Sequence, residues 1–428
     1  MGVLNDLKLG WNVVRDLVKA RSIRSKLAGQ LAARAPLPPR RFEIGVYFAD
    51  GDVNLYQIRQ WYKPLAELSK THPVVILSRN PSGASAMLDE SPVPVAYVRS
   101  VSDLESFLDD HDLKIVLYVN QNARNFQMMR YGRRWHVFVN HGESDKMYMT
   151  TNQFKAYDYS LVAGDAAVSR LQRVLWDYDF DKRALPIGRP QADHYGGGPA
   201  LPDDGRTVVL YAPTWEGDRP AAAYGSIASH GVALIRDILS SPAHRLIYRP
   251  HPRSGVLDPA YAAANREIIA AIAAANRDDP TAGHIHDTGA ELGWQLAKAD
   301  VAVVDVSAMV YDRLATGKPL LITRPVSPDA EIDTGGYLSD SEWLLADDAP
   351  RVLERIEQVS HDSAAGVRLG RWVTHYFGDT SPGAATKRFH AAIEQLLAEW
   401  DRNAALHARD EPIDEHDAEA AIEVDDRI

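Results

Sequence analysis

The sequence predicts an α/β protein built from two domains. Its 428 residues exceed what one ordinary hydrophobic core accommodates. Short apolar runs alternate with helical segments, a pattern typical of parallel βαβ units. A glycine-rich interruption begins at Gly196 and continues to Gly205, and it separates two such sets. We therefore expect an N-terminal domain over residues 41–195 and a C-terminal domain over residues 205–382.

Each domain contains its own series of candidate strands. In the first set they are Phe42–Phe48, Val74–Leu77, Val93–Val98, Lys114–Val119, Trp135–Asn140 and Tyr157–Val162. In the second set they are Thr207–Ala212, Arg245–Arg249, Gly283–His286, Asp300–Asp305 and Pro319–Thr323. An amphipathic helix over residues 383–400 is expected to close the structure.

The two ends of the chain have opposite charge. Residues 1–41 hold nine Lys and Arg against two Asp, and residues 401–428 hold ten Asp and Glu against three Arg. The acidic end lacks aromatic residues, so we expect a disordered tail over 401–428. Residues 1–40 are interpreted as a basic amphipathic helix and a linker. Such a helix either lies in an anionic membrane surface or packs on its own domain or a second subunit.

Composition excludes several kinds of chemistry. The chain has no cysteine, which excludes disulfides, thiolate nucleophiles and cysteine zinc sites, and which fits a reducing compartment. No apolar run approaches roughly 18 residues, so neither a spanning helix nor a signal peptide is expected. Neither half contains a dinucleotide-binding glycine motif or a Walker lysine loop.

The alternating His284 and His286 are the nearest candidate metal ligands, but core or cleft positions suit them better.

One histidine follows a predicted strand in each half. His141 opens a His-Gly-x-x-x-Lys segment that ends at Lys146, and His251 lies between two prolines with Arg249 and Arg253 on either side. Ligands of open α/β sheets bind beyond the carboxyl ends of the strands. A histidine is suited to take a proton at neutral pH, and arginine side chains match phosphate oxygens. These positions predict a catalytic cleft between the domains.

Two further segments at strand ends carry candidate ligand contacts. Tyr-Ala-Pro-Thr-Trp (211–215) follows the first strand of the second half, where Thr214 either faces a ligand or belongs to a packed loop with Trp215 as core filler. Asp305 and Ser307 open a helix whose free N–H groups attract an anion, although both residues could simply cap that helix.

In this order the motifs resemble the CDP-glycerol glycerophosphotransferase family, the teichoic acid polymerase-like enzymes. The motifs are His-Gly-x-x-x-Lys, Tyr-Ala-Pro-Thr-Trp, Arg-x-His-Pro, Asp-x-Ser-x-x-x-x-Asp and Gly-Lys-Pro, with late segments at 377–379 and 383–388. The resemblance covers about residues 115–400. It implies a GT-B arrangement, in which two Rossmann-like domains enclose a cleft.

The resemblance also implies an activity and roles for individual residues. Such an enzyme transfers glycerol phosphate or a related polyol phosphate from a CDP-alcohol to a hydroxyl acceptor and releases CMP. The family's two functional histidines correspond to His141 and His251. Donor-phosphate contacts correspond to the His-Pro loop and to the helix start near Ser307, and Gly142 and Lys146 belong to the acceptor side.

Expected partners and location follow from the same resemblance. We expect a CDP-alcohol donor, a hydroxyl acceptor on a lipid-linked glycan or polymer, and an anionic membrane surface bound by residues 1–34 on the inner face of the cell membrane. No cofactor, metal or nucleic-acid partner is expected, and the oligomeric state stays open. The family commonly has His-Gly-Thr-Pro-Leu-Lys, whereas this chain has Glu-Ser-Asp at 143–145, so its acceptor loop is more acidic.

Two alternatives remain open at the level of sequence. The first is a GT-B glycosyltransferase that uses a nucleotide sugar for cell-surface glycan synthesis, because one fold supports many activities. The second is a membrane-associated scaffold that retains an inactive cleft.

Overall fold

The computed structural model of this protein contains two parallel β-sheets, one in each half of the chain. It describes residues 18–143, 151–289, 291–332 and 335–408. The strand order reverses once within each sheet, as in doubly wound folds. The predicted fold class, two parallel-sheet α/β domains in a GT-B-like arrangement, is confirmed.

The first sheet has the order β3-β2-β1-β4-β5-β6-β7. Its strands are β1 (Ile44–Phe48), β2 (Val74–Ser78), β3 (Val95–Tyr97), β4 (Ile115–Tyr118), β5 (Trp135–Phe138), β6 (Tyr159–Val162) and β7 (Ala184–Pro186). Alternate side chains of β1 enter different hydrophobic clusters, with Val46 on one face and Tyr47 on the other. Both faces are therefore buried, as parallel sheets require.

Helices cover both faces of this sheet. They are α1 (residues 18–32), α2 (Leu55–Arg59), α3 (Tyr62–Leu68), α4 (Pro81–Glu90), α5 (Val101–Asp110), α6 (Asn125–Met129), α7 (Asp165–Val174) and α8 (Phe180–Arg183). Local sequence explains several of their starts. For example, Ser100 and Asp103 form a reciprocal capping box at the start of α5.

The second sheet has the order β10-β9-β8-β11-β12-β13. Its strands are β8 (Thr207–Ala212), β9 (His244–Tyr248), β10 (Ile285–His286), β11 (Val301–Val304), β12 (Leu320–Thr323) and β13 (Trp343–Leu344). Its helices are α9 (Val232–Leu239), α10 (Pro259–Asp278), α11 (Trp294–Lys298), α12 (Ala308–Leu314), α13 (Val352–His361) and α14 (Ser363–Phe377). The switch in strand order falls between β8 and β11.

The last helix returns to the first domain. Helix α15 (Ala384–Leu406) places Phe389, Ile393 and Leu396 in the hydrophobic cluster that covers one face of the first sheet. The Trp135 indole donates to the Leu396 carbonyl, at 3.1 Å. The chain therefore crosses between the domains twice, which joins them at two places.

Two expectations about elements need correction. Strands β7 and β13 are absent from the predicted set. They lie at the outer edges of their sheets and have only three and two residues, respectively, which is too short for a periodic signal. Helix α15 continues to Leu406, so residues 401–406 are helical although the sequence predicted a disordered tail from 401. Asp401 explains part of this difference, because its carboxylate accepts from Lys114 at 3.1 Å. Residues 409–428 lie outside the described part of the chain.

Helix α1 packs on its own domain. Leu27 enters the core of the first domain, and Gln30 donates to the Ser85 carbonyl of α4 at 3.0 Å. Most other positions of α1 are exposed. Residues 1–17, which hold the first half of the predicted amphipathic helix, lie outside the described residues. In the ranges that the structure describes, no helix is long and apolar enough to cross a membrane.

Candidate active site at the carboxyl edges of the two sheets

His141 lies in a turn directly after β5. Asn140 adopts a left-handed conformation with φ of +55°, which asparagine tolerates better than most residues. Its side chain accepts from the His141 N–H at 2.8 Å and donates to the Gly142 carbonyl at 2.7 Å. The Trp61 indole donates to the Asn140 carbonyl. This turn therefore fixes the position at which the His141 side chain leaves the backbone.

The His141 ring is held in one neutral form. Its Nδ1 lies 3.1 Å from the Val119 carbonyl at the end of β4. A carbonyl can only accept, so in the neutral ring Nδ1 carries the proton and Nε2 carries the lone pair. Burial, assisted by the positive charge of Arg189, lowers the pKa of His141 below its ordinary value. At neutral pH the ring can therefore accept a proton at Nε2.

The residues after His141 lie near two buried arginines. Glu143 is buried and forms an ion pair with Arg170 of α7. A Cβ added to Gly142 would lie 3.8 Å from Nη1 of Arg189. Sequence reasoning missed both arginines, because neither lies in a motif. Lys146, predicted for the acceptor side, lies outside the described residues.

The switch point of the first sheet holds a polar cluster that sequence reasoning also missed. We call it the Asp50 cluster; its members are Asp50, Asn54, Gln57, Asn120 and Asn122. The Asp50 carboxylate accepts from Asn54 at 2.9 Å, from Asn120 at 2.7 Å and from Asn122 at 2.8 Å. Asn120 also donates to Gln57 at 2.7 Å. One available signal was that Asp50 and Asn120 each follow a buried strand by two positions.

His251 lies at the corresponding edge of the second sheet. Its backbone N–H donates to the Pro213 carbonyl after β8, at 3.1 Å. Its Nδ1 accepts the backbone N–H of Arg253 at 3.1 Å, so in the neutral ring the proton is on Nε2. Burial and the Arg253 charge both lower the pKa of His251. His251 is thus a hydrogen-bond donor at Nε2, the opposite of His141.

The loop that carries His251 is anchored by Glu216, which sequence reasoning did not single out. The buried Glu216 carboxylate accepts the N–H groups of Gly255 at 2.9 Å, Leu257 at 2.7 Å and Asp258 at 3.1 Å. Burial opposes its ionisation, but these donors outweigh burial and hold the pKa of Glu216 below its ordinary value. Ionised Glu216 therefore ties the exit of β8 to the His251 loop.

The predicted arginines on either side of His251 have different surroundings. The Arg253 guanidinium lies 3.8 Å from the centre of the Trp215 ring, so Trp215 faces the loop and is not core filler. Arg253 is exposed, and within the described residues it forms no ion pair. Arg249 instead pairs with Asp287 and donates to the Gly289 carbonyl at 3.1 Å. Of the two, Arg253 is the one available to an incoming anion.

Asp305, Thr214 and Ser307 meet at the switch point of the second sheet. Asp305 is fully buried, and it accepts from the Thr214 N–H at 2.7 Å, the Ser226 N–H at 3.1 Å and the Thr323 hydroxyl. Burial raises its pKa to about 6, although these donors oppose the rise. This carboxyl group lies behind the loops and positions them. Ser307 caps α12 by accepting from the Met309 N–H at 3.3 Å.

His284 and His286 are each engaged by neighbours from β9. Nδ1 of the buried His284 accepts from the Leu246 N–H at 3.1 Å, and His286 stacks on Tyr248 at 5.7 Å. Across the described ranges, no group of three or more His, Asp or Glu side chains could hold a metal ion. His284 therefore occupies a core position, and His286 is half-buried beside Tyr248.

A buried ion pair joins the two domains beside this region. Arg189 follows β7 and pairs with Asp312 of α12, the helix that begins at Ser307. Arg189 also donates to Gln60 at 3.0 Å and to the Tyr195 hydroxyl at 3.2 Å. The same side chain thus pairs with the helix that leaves the second sheet and lies near the His141 turn.

Comparison with known proteins shows similarity at the level of the fold. A structure of the wall teichoic acid polymerase TagF soaked with CDPG is similar over 93% of this chain and 99% of that chain, with a TM-score of 0.54 and 12% identity. The UDP-GlcNAc 2-epimerase from Neisseria meningitidis, bound to UDP-GlcNAc, is similar over 83% and 99%, with a TM-score of 0.54 and 12% identity. No protein-family model and no curated protein matches the chain.

Proposed function

We propose that this protein is a transferase that moves glycerol phosphate, or a related polyol phosphate, from a CDP-activated donor to a hydroxyl acceptor in cell-envelope polymer synthesis. The proposal is supported by the order of its sequence motifs and by a fold shared with a teichoic acid polymerase. The chemistry rests on the residues at the carboxyl edges of the two sheets.

The observation that carries the proposal is the opposite protonation of the two histidines. His141 donates at Nδ1 to a carbonyl and presents a lone pair at Nε2, whereas His251 accepts at Nδ1 and presents N–H at Nε2. Transfer of a phosphoryl group to an alcohol needs a base for the alcohol and a donor for the phosphate oxygens. His141 in the first domain can serve as the base, and His251 in the second domain can serve as the donor.

The reaction follows from these roles. The acceptor hydroxyl attacks the donor phosphorus distal to cytidine, and a new P–O bond forms to the acceptor. The bond between that phosphorus and the oxygen of CMP breaks, and CMP leaves with the electron pair. The hydroxyl proton moves to Nε2 of His141. His251 donates from Nε2 to the diphosphate, whose charge develops on the leaving side.

Arg253 supplies the positive charge on the donor side. Its guanidinium is held over Trp215 and is exposed, so it can donate to two phosphate oxygens. Thr214 and Ser307 lie on the loops that Asp305 holds, and they complete the donor side. Arg249 acts mainly by holding Asp287 and the 287–289 segment.

We further propose that the protein binds the inner face of the cell membrane peripherally, where a lipid-linked acceptor is presented. Helix α1 supports this, because Lys19, Arg21 and Arg24 are exposed along it and Val18 is 64% exposed. Anionic lipids attract such basic residues. The face of α1 that carries Leu27 and Gln30 packs on the domain, so only the opposite, exposed face is available to lipid.

A donor panel tests the proposed function. Purified full-length protein is incubated with CDP-glycerol, CDP-ribitol, UDP-GlcNAc and a GDP-sugar, and nucleotide release is measured. CDP-alcohols should be cleaved at least tenfold faster than the sugar nucleotides, and His251→Ala should weaken CDP-glycerol binding. Preferential cleavage of a UDP- or GDP-sugar would instead identify a glycosyltransferase, and cleavage of none would favour a scaffold.

A further inference from the structure

The Asp50 cluster occupies the place where an open parallel sheet binds its ligand. Asp50 follows β1 and Asn120 follows β4, and these are the two strands between which the order of the first sheet reverses. Ligands bind in the crevice outside the carboxyl ends at this point. His141 follows β5, the next strand along, so these side chains lie outside the motif that carries the histidine.

The candidate base lies beside this cluster. The His141 ring is hydrogen-bonded to Val119, which directly precedes Asn120. The edge of the Tyr56 ring meets the His141 ring with 5.7 Å between centroids. The Tyr56 hydroxyl in turn accepts from Gln57, at 3.2 Å. A molecule bound against Asp50 and Gln57 would therefore lie next to the histidine that takes the proton.

The chemistry of the cluster suits hydroxyl groups. Within the described residues, Oδ1 of Asp50 accepts one hydrogen bond, from Asn54, and a carboxylate oxygen can accept two. The surrounding amides of Gln57 and Asn122 can both donate and accept. Asp50 forms no ion pair in the part of the chain that the structure describes. Among the described residues no cation pairs with this carboxylate, and its negative charge disfavours a phosphate group.

Three exposed apolar side chains lie on the segments that carry the cluster. Val53 is 86% exposed, Tyr56 is 52% exposed and Phe126 is 50% exposed. Phe126 lies on α6, whose Asn125 donates to the Asn120 carbonyl at 2.7 Å. Exposed rings beside carboxylate and amide groups offer flat apolar contact to C–H groups together with hydrogen bonds to hydroxyls.

From this combination we infer that the Asp50 cluster is the acceptor subsite, and that it takes a neutral polyhydroxyl end, a sugar or polyol, instead of a phosphate-bearing one. Asp50 accepts from one acceptor hydroxyl, while the neighbouring hydroxyl faces Nε2 of His141. The inference rests on the proposed function, because a bound hydroxyl compound is an acceptor only if the protein transfers a group to it. The binding chemistry of the cluster does not depend on the donor.

The test measures binding of small probes without a donor. Saturation-transfer NMR titrations compare methyl α-D-glucopyranoside and glycerol with glycerol 3-phosphate on the full-length protein. The neutral probes should bind, and glycerol 3-phosphate should bind more weakly than glycerol. Asp50→Asn should weaken binding of the glucoside at least tenfold. Tyr56→Ala, which removes an exposed ring and leaves the core intact, should weaken it about fivefold.

Asp52→Asn is the matched control. Asp52 is exposed two positions away, and its carboxylate accepts from Ser82 instead of joining the cluster. This variant should bind the glucoside as the wild type does. Equal affinities in wild type and Asp50→Asn, tighter binding of glycerol 3-phosphate than of glycerol, or no binding of either neutral probe overturns the inference. CMP release from CDP-glycerol by the wild type, measured separately, shows whether the proposed function itself has failed.

Discussion

At the scale of single residues, the proposed function depends on which ring nitrogen of each histidine carries a proton. One backbone group decides this in each case, the Val119 carbonyl for His141 and the Arg253 N–H for His251. Neither partner is recognisable from side-chain chemistry, because any residue type provides a carbonyl and nearly any provides an N–H. The sequence could therefore place both histidines at strand ends, but it could not assign their roles from hydrogen bonding.

The protonation of His141 gives a pH prediction. Its base form is the neutral ring, so activity should fall as pH decreases through its pKa. Burial and Arg189 lower that pKa, so the acid limb of kcat/KM should have its midpoint below pH 6.5, and kcat/KM should level off above that midpoint and stay constant to pH 8.

His141→Ala should reduce transfer at least 100-fold and remove the acid limb of the pH profile. The affinity for CDP-glycerol should change less than threefold. Steady-state kinetics between pH 5 and pH 8 provide the measurement, and isothermal titration calorimetry gives the donor affinity. A midpoint above pH 7, or a loss of affinity equal to the loss of rate, contradicts the role of His141 as base.

At the scale of elements, loops at strand ends carry the site while the strands fix where those loops begin. The inner strands were predictable, since each is a short apolar run followed by a turn. The Glu216 anchor was not, because its three partners are backbone N–H groups about forty residues further along the chain. The Asp50 cluster was missed for a similar reason, because its members come from segments about seventy residues apart.

The Glu216 anchor predicts a defect confined to the donor side. In Glu216→Gln an amide NH₂ replaces one oxygen and faces backbone N–H groups, so at least one hydrogen bond to the 255–258 segment is lost. The His251 loop should become less ordered, and KM for CDP-glycerol should rise about tenfold while kcat changes less than threefold. Asp218→Asn removes an exposed carboxylate two positions away and serves as the control. A wild-type KM in Glu216→Gln would show that the loop keeps its position without the anchor.

At the scale of the whole molecule, Arg189 and Asp312 join the domains next to the site. This pair could not be predicted from the sequence, since contacts between domains leave no local periodicity. Removing one partner leaves a buried charge uncompensated, which typically costs about 3–5 kcal/mol. Asp312→Asn should therefore lower the thermal unfolding midpoint by roughly 5–10 °C.

The double variant Arg189→Met/Asp312→Leu separates charge from packing. It removes both charges and replaces them with apolar groups, so it should recover most of the lost thermal stability. Differential scanning calorimetry of the wild type, the single variant and the double variant makes the comparison. If the double variant unfolds at as low a temperature as Asp312→Asn, the pair does not act through charge compensation.

The outer face of α1 predicts the response to lipid. Near an anionic surface each basic residue contributes ~1 kcal/mol, and salt screens that attraction. Changing Lys19, Arg21 and Arg24 to Glu should abolish sedimentation with anionic liposomes at low salt and leave the fold intact. The same change of charge at Arg236, Arg266 and Arg277, exposed on α9 and α10, is the control. Equal sedimentation of both variants would mean that α1 does not mediate membrane binding.

The central claim is that the protein transfers a phosphoryl group and releases CMP. The most direct measurement is the identity of the nucleotide that leaves. Purified protein is incubated with CDP-glycerol and a polyol acceptor, and the products are followed by ³¹P NMR. A phosphotransferase breaks the bond within the diphosphate, so CMP and a new phosphodiester should appear in equal amounts. Both signals should be missing in His141→Ala. Release of CDP instead of CMP, with no phosphodiester formed, would contradict the account, because the bond within the diphosphate would then stay intact.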